Sequence, residues 1–245
     1  MSETVIREVT KGVWTFSRPF ARFGLFPVGG RTTAITLKDG GVWVLASTPL
    51  DEETKETLQK LGPVRYIVGA DAVHYLFLDQ YKAAYPEAKV VAPVDAIENV
   101  KKSGKELAFD GAWGRDPSDT KYGFEGDIEH WYACYFTGFR NKDVAFFHKE
   151  SKSLIEADLL MNLPPTEQYS KAKASPILMA VANLNPGSWG HPHMTWSLGV
   201  DKTAMQRDAK TVSAWDFDRI IPCHGDVIET DAKKAWATVF HKFLN

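Results

Sequence analysis

The hydrophobic pattern of the first hundred residues predicts strands and helices in alternation. Apolar runs on either side of the Asp-Gly-Gly turn at 39–41 predict a β-hairpin, because glycine supplies the positive φ that a tight turn needs. A helix over 52–61 should follow, since acidic residues precede it and Gly62 can end it. The same pattern predicts strands at 13–16, 64–68 and 88–93 and helices at 75–85 and 94–103. After the hairpin, the chain is therefore expected to have the order β-α-β-α-β.

The second half of the chain has a looser pattern. Residues 110–127 are rich in turn formers and are expected to form a long loop. Residues 162–198 are rich in Pro, Gly, Asn and Met, which is typical of a functional lid or insertion. The other predicted elements are strands at 128–136, 143–148, 152–156 and 218–222 and helices at 175–182, 202–215 and 231–244. Because no repeat or low-complexity linker occurs, we expect residues 1–245 to form a single layered α/β domain with an insertion at about 162–198.

Composition and charge exclude several classes of partner. The chain has 29 Lys and Arg against 31 Asp and Glu, a net charge of −2, so it lacks the basic surplus of a nucleic-acid-binding protein. No apolar run approaches the roughly 18 residues of a membrane helix. Two cysteines are too few for a disulfide framework. We therefore expect a cytoplasmic protein that acts on a small molecule, and the oligomeric state is left open.

Three predicted strands run into polar residues that could hold a metal ion. The strand at 64–68 leads to His74, the strand at 152–156 to Asp158, and the strand at 218–222 to His224. Because open α/β sheets place their sites at the carboxyl ends of strands, these side chains are expected to converge. Two imidazoles and a carboxylate can hold a divalent ion and leave a position open for water or substrate. A buried hydrogen-bond network without any metal explains the same residues.

Four segments of the chain resemble the metallo-β-lactamase superfamily. They are the hairpin 32–51, the loop 69–74, the segment 156–160 and the segment 221–225. More narrowly, the chain resembles a poorly characterised fungal and bacterial branch of that superfamily, filed as a domain of unknown function. The resemblance spans about residues 10–240. It implies an αββα sandwich and a metal-dependent hydrolase.

The resemblance also implies that one of the family's two metal sites has been lost. His74 aligns with the last residue of the motif His-x-His-x-Asp-His, and Phe139 stands where the family has a His in a later loop. The family's bridging Asp and its last His are matched by Asp158 and His224. The motif positions that differ are Gly69, Asp71 and Val73. The resemblance therefore implies at most one metal ion.

The remaining site would have its ligands in His74, Asp158 and His224. Asp71 could serve as a fourth ligand or as a general base, and Asp226 is a second candidate base. Zinc is the first choice of ion, with iron or manganese as alternatives and a metal-free site as the other possibility. A bound ion would polarise a carbonyl or phosphoryl oxygen and lower the pKa of a bound water.

Aromatic and arginine residues are candidates for substrate binding. The chain has 30 aromatic residues, and large amphipathic rings often line pockets. Arginines bind carboxylates and phosphates through bidentate contacts. The candidates are Arg18, Phe20, Arg31, Trp113, Phe139, Trp189 and His193. They favour a small apolar or aromatic ester, lactone, amide or phosphoester as substrate. The alternatives are a metal-free binding protein and a metal-independent lyase or isomerase in the same pocket.

Overall fold

Two mixed sheets form the centre of the protein in a computed structural model that describes residues 3–130, 134–172 and 175–245. The larger sheet has seven strands. In spatial order they are β1 (Val5–Thr10), β2 (Val13–Arg18), β5 (Gly30–Thr36), β6 (Val42–Leu45), β7 (Val64–Val68), β8 (Lys89–Pro93) and β9 (Gly111–Trp113). Strands β6 to β9 run parallel to one another, whereas the pairs before them are antiparallel.

The smaller sheet has four strands, and a separate short hairpin extends from the larger sheet. The four strands are β10 (Ile128–Glu129), β11 (Phe146–His148), β12 (Ser153–Glu156) and β13 (Arg219–Pro222). Strands β12 and β13 are parallel neighbours, so their carboxyl ends lie side by side. The hairpin consists of β3 (Ala21–Arg22) and β4 (Phe26–Pro27) and lies in the connection from β2 to β5.

Helices cover the outer face of each sheet. They are α1 (Glu52–Leu61), α2 (Leu78–Ala84), α3 (Val94–Lys102), α4 (Pro176–Val181), α5 (Gly190–Leu198), α6 (Lys202–Ala214), α7 (Ala232–Val239) and α8 (His241–Leu244). Helices α1 to α3 share a core with the larger sheet, and α6 to α8 share one with the smaller sheet. Between the sheets lies a third core, in which Trp43 packs edge-on against Phe146. The predicted αββα sandwich is therefore what the structure shows.

Several element bounds differ from those expected. Strand β1 was not predicted, because its half-buried edge position does not require an apolar pattern. The expected loop at 110–127 begins with β9, which pairs with the edge of β8. The expected strand at 128–136 is a strand only as far as Glu129, and residues 131–133 lie outside the described part of the chain. The expected helix at 231–244 is divided at Phe240 into α7 and α8.

The topology places the ends of three strands near one another. Strand β7 of the larger sheet and strands β12 and β13 of the smaller sheet lead into the loops that carry His74, Asp158 and His224. The first helix after β7 begins only at Leu78 rather than at residue 75, because the residues before it form the loop that holds His74. Within the described ranges, no helix is long and apolar enough to cross a membrane.

Candidate metal centre

His74, Asp158 and His224 meet at the edge of the sandwich. One potential ligand atom from each residue lies within 4.8 Å of the other two. The Nε2 atom of His224 is 3.2 Å from Oδ1 of Asp158, and the two imidazole rings have centroids 5.3 Å apart. The structure thus brings together the three residues that the sequence selects as ligands.

Hydrogen bonds behind the two imidazoles set their tautomers. The Nδ1 atom of His224 lies 2.6 Å from the carbonyl oxygen of Gly29 and must donate to it, because a carbonyl only accepts. The Nδ1 atom of His74 lies 2.9 Å from Oδ2 of Asp71 and donates to that carboxylate. In the neutral form of each ring, Nε2 then carries the free lone pair. This is the arrangement by which proteins orient metal-binding histidines.

Hydrogen bonds fix the position of Asp158, but one of its carboxylate oxygens has no hydrogen-bond partner among the described residues. The side-chain amide of Asn141 donates to Oδ2 at 2.6 Å, and the backbone N–H of Asp158 donates to Oδ2 of Asp143 at 2.6 Å. Oδ1 is buried and forms no hydrogen bond within the described residues. It faces Nε2 of His224, which in its neutral tautomer is also an acceptor. Two acceptors in contact need a cation or a proton between them, so the donor set fits a metal ion.

Asp71 lies behind His74. Its carboxylate is fully buried, and its Oδ1 accepts hydrogen bonds from the backbone N–H groups of Val73 and His74, both at 2.7 Å. Since its Oδ2 accepts from His74, both oxygens are engaged. This placement does not favour the predicted roles of fourth ligand or general base. Its hydrogen bond to Nδ1 favours instead a role in orienting the imidazole of His74.

Several buried carboxyl groups surround the centre. Burial, strengthened by the neighbouring carboxylates, raises the pKa of Asp143 and of Glu156 well above the usual range. Burial acts in the same direction on Asp158, but the charges of the two imidazoles outweigh it and lower the pKa of Asp158 below its usual range. Burial opposes protonation of His74, yet the charges of Asp71 and Asp158 raise its pKa to about 9. A positive charge at this centre is therefore stabilised, whether on a cation or on His74.

A pocket of about 420 Å³ opens over the three residues. This volume lies in the usual range of small-molecule sites. The side chains that form its walls include Phe20, Val28, Val73, Leu76, Phe77 and Met161. Phe20 stacks on His224 with ring centroids 6.2 Å apart. Arg18 and Phe20, two of the predicted substrate contacts, both line this pocket.

Arg31 touches the same pocket, but its guanidinium is committed to the protein. Its side chain is fully buried, and Nη1 donates to the carbonyl oxygens of Pro222 at 2.7 Å and Gly225 at 2.6 Å. Nε donates to Oγ of Ser17 at 3.0 Å. Burial lowers its pKa, partly offset by the charge of Glu167. Arg31 thus braces the loop of His224, which does not favour the predicted contact with a substrate anion.

Trp113 and Phe139 lie in the cores of the protein and not around this pocket. Trp113 belongs to the core between the sheets, and its indole N–H donates to Nδ1 of His130 at 3.2 Å. It lines a separate cavity of about 200 Å³. Phe139 is buried in the core beneath the smaller sheet. Their positions favour packing roles over the predicted substrate contacts, because burial against the apolar cores accounts for both rings.

Trp189, His193 and Asp226 are not among the described residues that line the pocket. Trp189 has 81% of its surface exposed and stacks on His193 with ring centroids 4.3 Å apart. The carboxylate of Asp226 accepts from the backbone N–H of Glu167 at 2.8 Å and from the hydroxyl of Thr166. Its role as a general base is not supported by this position. Substrate contact by Trp189 or His193 stays a prediction.

Sequence reasoning missed the groups that hold the ligands in place. Asn141 and Asp143 orient Asp158, and the side chain of Gln168 bonds to the backbone on both sides of His224. Gly29 contributes through its backbone carbonyl oxygen. No local pattern marks such residues, because their partners are far away in sequence.

Several solved metallo-β-lactamases are similar to this chain in fold. The enzyme from Erythrobacter litoralis, crystallised with β-mercaptoethanol in its active site, has a TM-score of 0.64 at 14% identity, covering 98% of this chain and 96% of that one. The enzyme from Hirschia baltica has a TM-score of 0.61 at 12% identity, covering 97% and 98%. The mono-zinc form of FIM-1 from Pseudomonas aeruginosa has a TM-score of 0.61 at 14% identity, covering 100% and 98%. The protein therefore has the metallo-β-lactamase fold.

The family is defined more narrowly by sequence. Residues 10–185 match the family described as Domain of unknown function (DUF4336), and the chain belongs to that family. A comparison with curated proteins found no match. The expected relationship to a branch of unknown function on a metallo-β-lactamase scaffold is thereby confirmed.

Asp71→Asn tests the positioning role of Asp71. The amide can still accept from the backbone N–H groups of the loop, but it no longer offers a charged acceptor to His74. We expect zinc affinity to fall about 10- to 100-fold, the usual cost of losing a residue that orients a metal ligand. Competition with a chromophoric chelator measures the affinity. Asp201→Asn is the matched control, because Asp201 also accepts from two backbone N–H groups, at the start of α6. Equal affinities in both variants would contradict the role.

Proposed function

We propose that this protein is a hydrolase with a single divalent metal ion, held by His74, Asp158 and His224. The observation that carries the proposal is the buried Oδ1 of Asp158, which has no hydrogen-bond partner among the described residues and faces Nε2 of His224 at 3.2 Å. Zinc suits two imidazoles and one carboxylate best. Crystallisation of FIM-1 in a mono-zinc form supports the idea that this fold can hold a single ion.

The pocket supplies the rest of the proposed mechanism. A bound ion would supply Lewis-acid polarisation of a carbonyl or phosphoryl oxygen. The apolar walls exclude bulk water, which strengthens electrostatic interactions at the floor of the pocket. Asp71 and Gly29 keep Nε2 of each imidazole directed at the reacting group. A small apolar or aromatic ester, lactone, amide or phosphoester is the substrate class that this chemistry and this lining favour.

The proposal is tested with protein purified without a histidine tag. The zinc-loaded protein is assayed against a panel of aryl esters, lactones and phosphodiesters, with the metal content measured in the same samples. We expect one ion per chain and turnover that chelation abolishes. The variant Asp158→Asn is the control for contaminating hydrolases, because it should lose both the ion and the turnover. Turnover that survives in this variant, or a wild-type protein without bound metal, would exclude the mechanism.

A second candidate function is metal-free binding of a small molecule. The raised pKa of His74 favours it, because an imidazolium between Asp71 and Asp158 supplies the positive charge that the centre stabilises. In that case, zinc should leave the melting temperature unchanged, and a ligand should bind without being turned over. A rise in melting temperature with added zinc would favour the hydrolase instead.

The apparent affinity for zinc should rise with pH. The pKa of His74 is raised to about 9 in the metal-free protein, so at neutral pH this imidazole holds a proton that the ion must displace. We expect the affinity to increase about tenfold per pH unit from pH 7 to 9 and to level off above pH 9. Chelator competition at a series of pH values measures it. An affinity that stays flat between pH 7 and 9 would contradict this assignment of the proton.

A further inference from the structure

Two arginines at the pocket have no acidic partner. Arg18 and Arg22 both line it, and within the described residues neither lies within 4 Å of a carboxylate oxygen. Of the chain's seven other arginines, five contact an acid, Arg31 pairs with Glu167, and the exposed Arg140 has no acidic partner among the described residues. Those five are Arg7, Arg65, Arg115, Arg207 and Arg219. Two of the three arginines without an acidic partner among the described residues therefore lie at the pocket.

The two guanidinium groups border an apolar surface. Arg18 ends β2 and Arg22 ends β3, with Phe20 between them on the chain. Phe20 is about half exposed, and the guanidinium of Arg22 lies 5.5 Å from the ring centroid of the largely exposed Phe23. At the other end of the pocket lie His74, Asp158 and His224. The pocket therefore has a positive mouth, apolar walls and a floor formed by the candidate metal centre.

We propose that the substrate is an amphipathic anion, with an apolar body in the pocket and a carboxylate or phosphate held by Arg18 and Arg22. This inference rests on the proposed function of the same pocket. It specifies the chemistry of the part of the substrate that does not react. Arginine suits the role because its planar fork pairs with either anion through two hydrogen bonds. Arg31 has no part in it, since the protein already uses its donors.

The test is a binding measurement on metal-free, full-length protein, so it depends neither on turnover nor on a metal. The probes share one body: 4-phenylbutanoate, 4-phenylbutyl phosphate and the neutral 4-phenylbutan-1-ol. Isothermal titration calorimetry compares wild-type protein with the double variant Arg18→Gln/Arg22→Gln. Arg65→Gln is the charge control, because Arg65 is in β7, near the end of that strand opposite the metal site, where it pairs with Asp39.

We expect at least one anion to bind about 10- to 100-fold more weakly to the double variant, with the alcohol changed less than threefold and Arg65→Gln unchanged for all probes. Preference for the carboxylate or for the phosphate identifies which anion the substrate carries. Anion affinity that survives in the double variant, an equal loss for the alcohol, or no anion binding in the wild type would overturn the inference. Binding as expected without any hydrolysis would instead exclude only the proposed hydrolase activity.

Discussion

The variant His224→Ala should bind zinc more than a hundredfold more weakly than the wild-type protein, and its preparations should contain no stoichiometric ion. Losing a group that merely orients a ligand costs about 10- to 100-fold in affinity, so losing a ligand should cost more. The substitution also removes the nitrogen that faces Oδ1 of Asp158 at 3.2 Å. Atomic absorption of the purified protein and chelator competition measure content and affinity.

The control for this experiment is His241→Ala. His241 is exposed on α8, and the one hydrogen bond of its imidazole within the described ranges is to the backbone carbonyl of Thr238, so its loss should leave zinc binding unchanged. A His224→Ala variant that still binds one ion with wild-type affinity would show that the metal lies elsewhere. A wild-type protein that binds no zinc, iron or manganese would support the metal-free network that the sequence leaves open.

The variant Arg31→Ala should lower the free energy of unfolding by about 3–5 kcal/mol, the range found when one partner of a buried charged network is removed. The substitution leaves the carbonyl oxygens of Pro222 and Gly225 without their buried donor and removes a cation from Glu167. Since about 1 kcal/mol shifts the melting temperature of a chain of this size by roughly 2–4 °C, the expected fall is about 6–20 °C. Urea denaturation and calorimetry measure the two quantities.

A matched control separates this bracing role from a general effect of charge. Arg65→Ala removes an exposed arginine that pairs with Asp39 on the surface, and such pairs contribute about 0–1 kcal/mol. Arg31→Lys is informative as well, because it retains the charge but loses the fork that reaches two carbonyl oxygens. If Arg31→Ala has the same free energy of unfolding as Arg65→Ala and weakens only anion binding, the result would support the predicted substrate contact by Arg31 and contradict its bracing role.

Arg18 and Arg31 show that residue type alone does not predict which arginine is free to bind a substrate. Arg18 and Arg31 lie on either side of a segment that contains Phe20, Phe23 and Phe26, and both arginines were expected to bind a substrate anion. In the structure, Arg18 reaches the pocket with no acidic partner among the described residues, whereas Arg31 bonds to Gly225, a separation of 194 residues along the chain. Local composition does not distinguish the two, because their difference lies in contacts with the far end of the chain.

The sequence by itself determined the layered α/β order and the convergence of His74, Asp158 and His224. Short apolar runs, turn residues and polar strand ends are local signals, whereas the parallel pairing of β6 with β7 and of β12 with β13 is seen only in the structure. Only the tertiary structure decided which groups form hydrogen bonds to those ligands and orient them. Segments that are distant in sequence must meet before Asp71 is buried, Arg31 is hydrogen-bonded and Oδ1 of Asp158 is left without a partner among the described residues. A buried polar group can form hydrogen bonds only with the groups that tertiary packing places beside it.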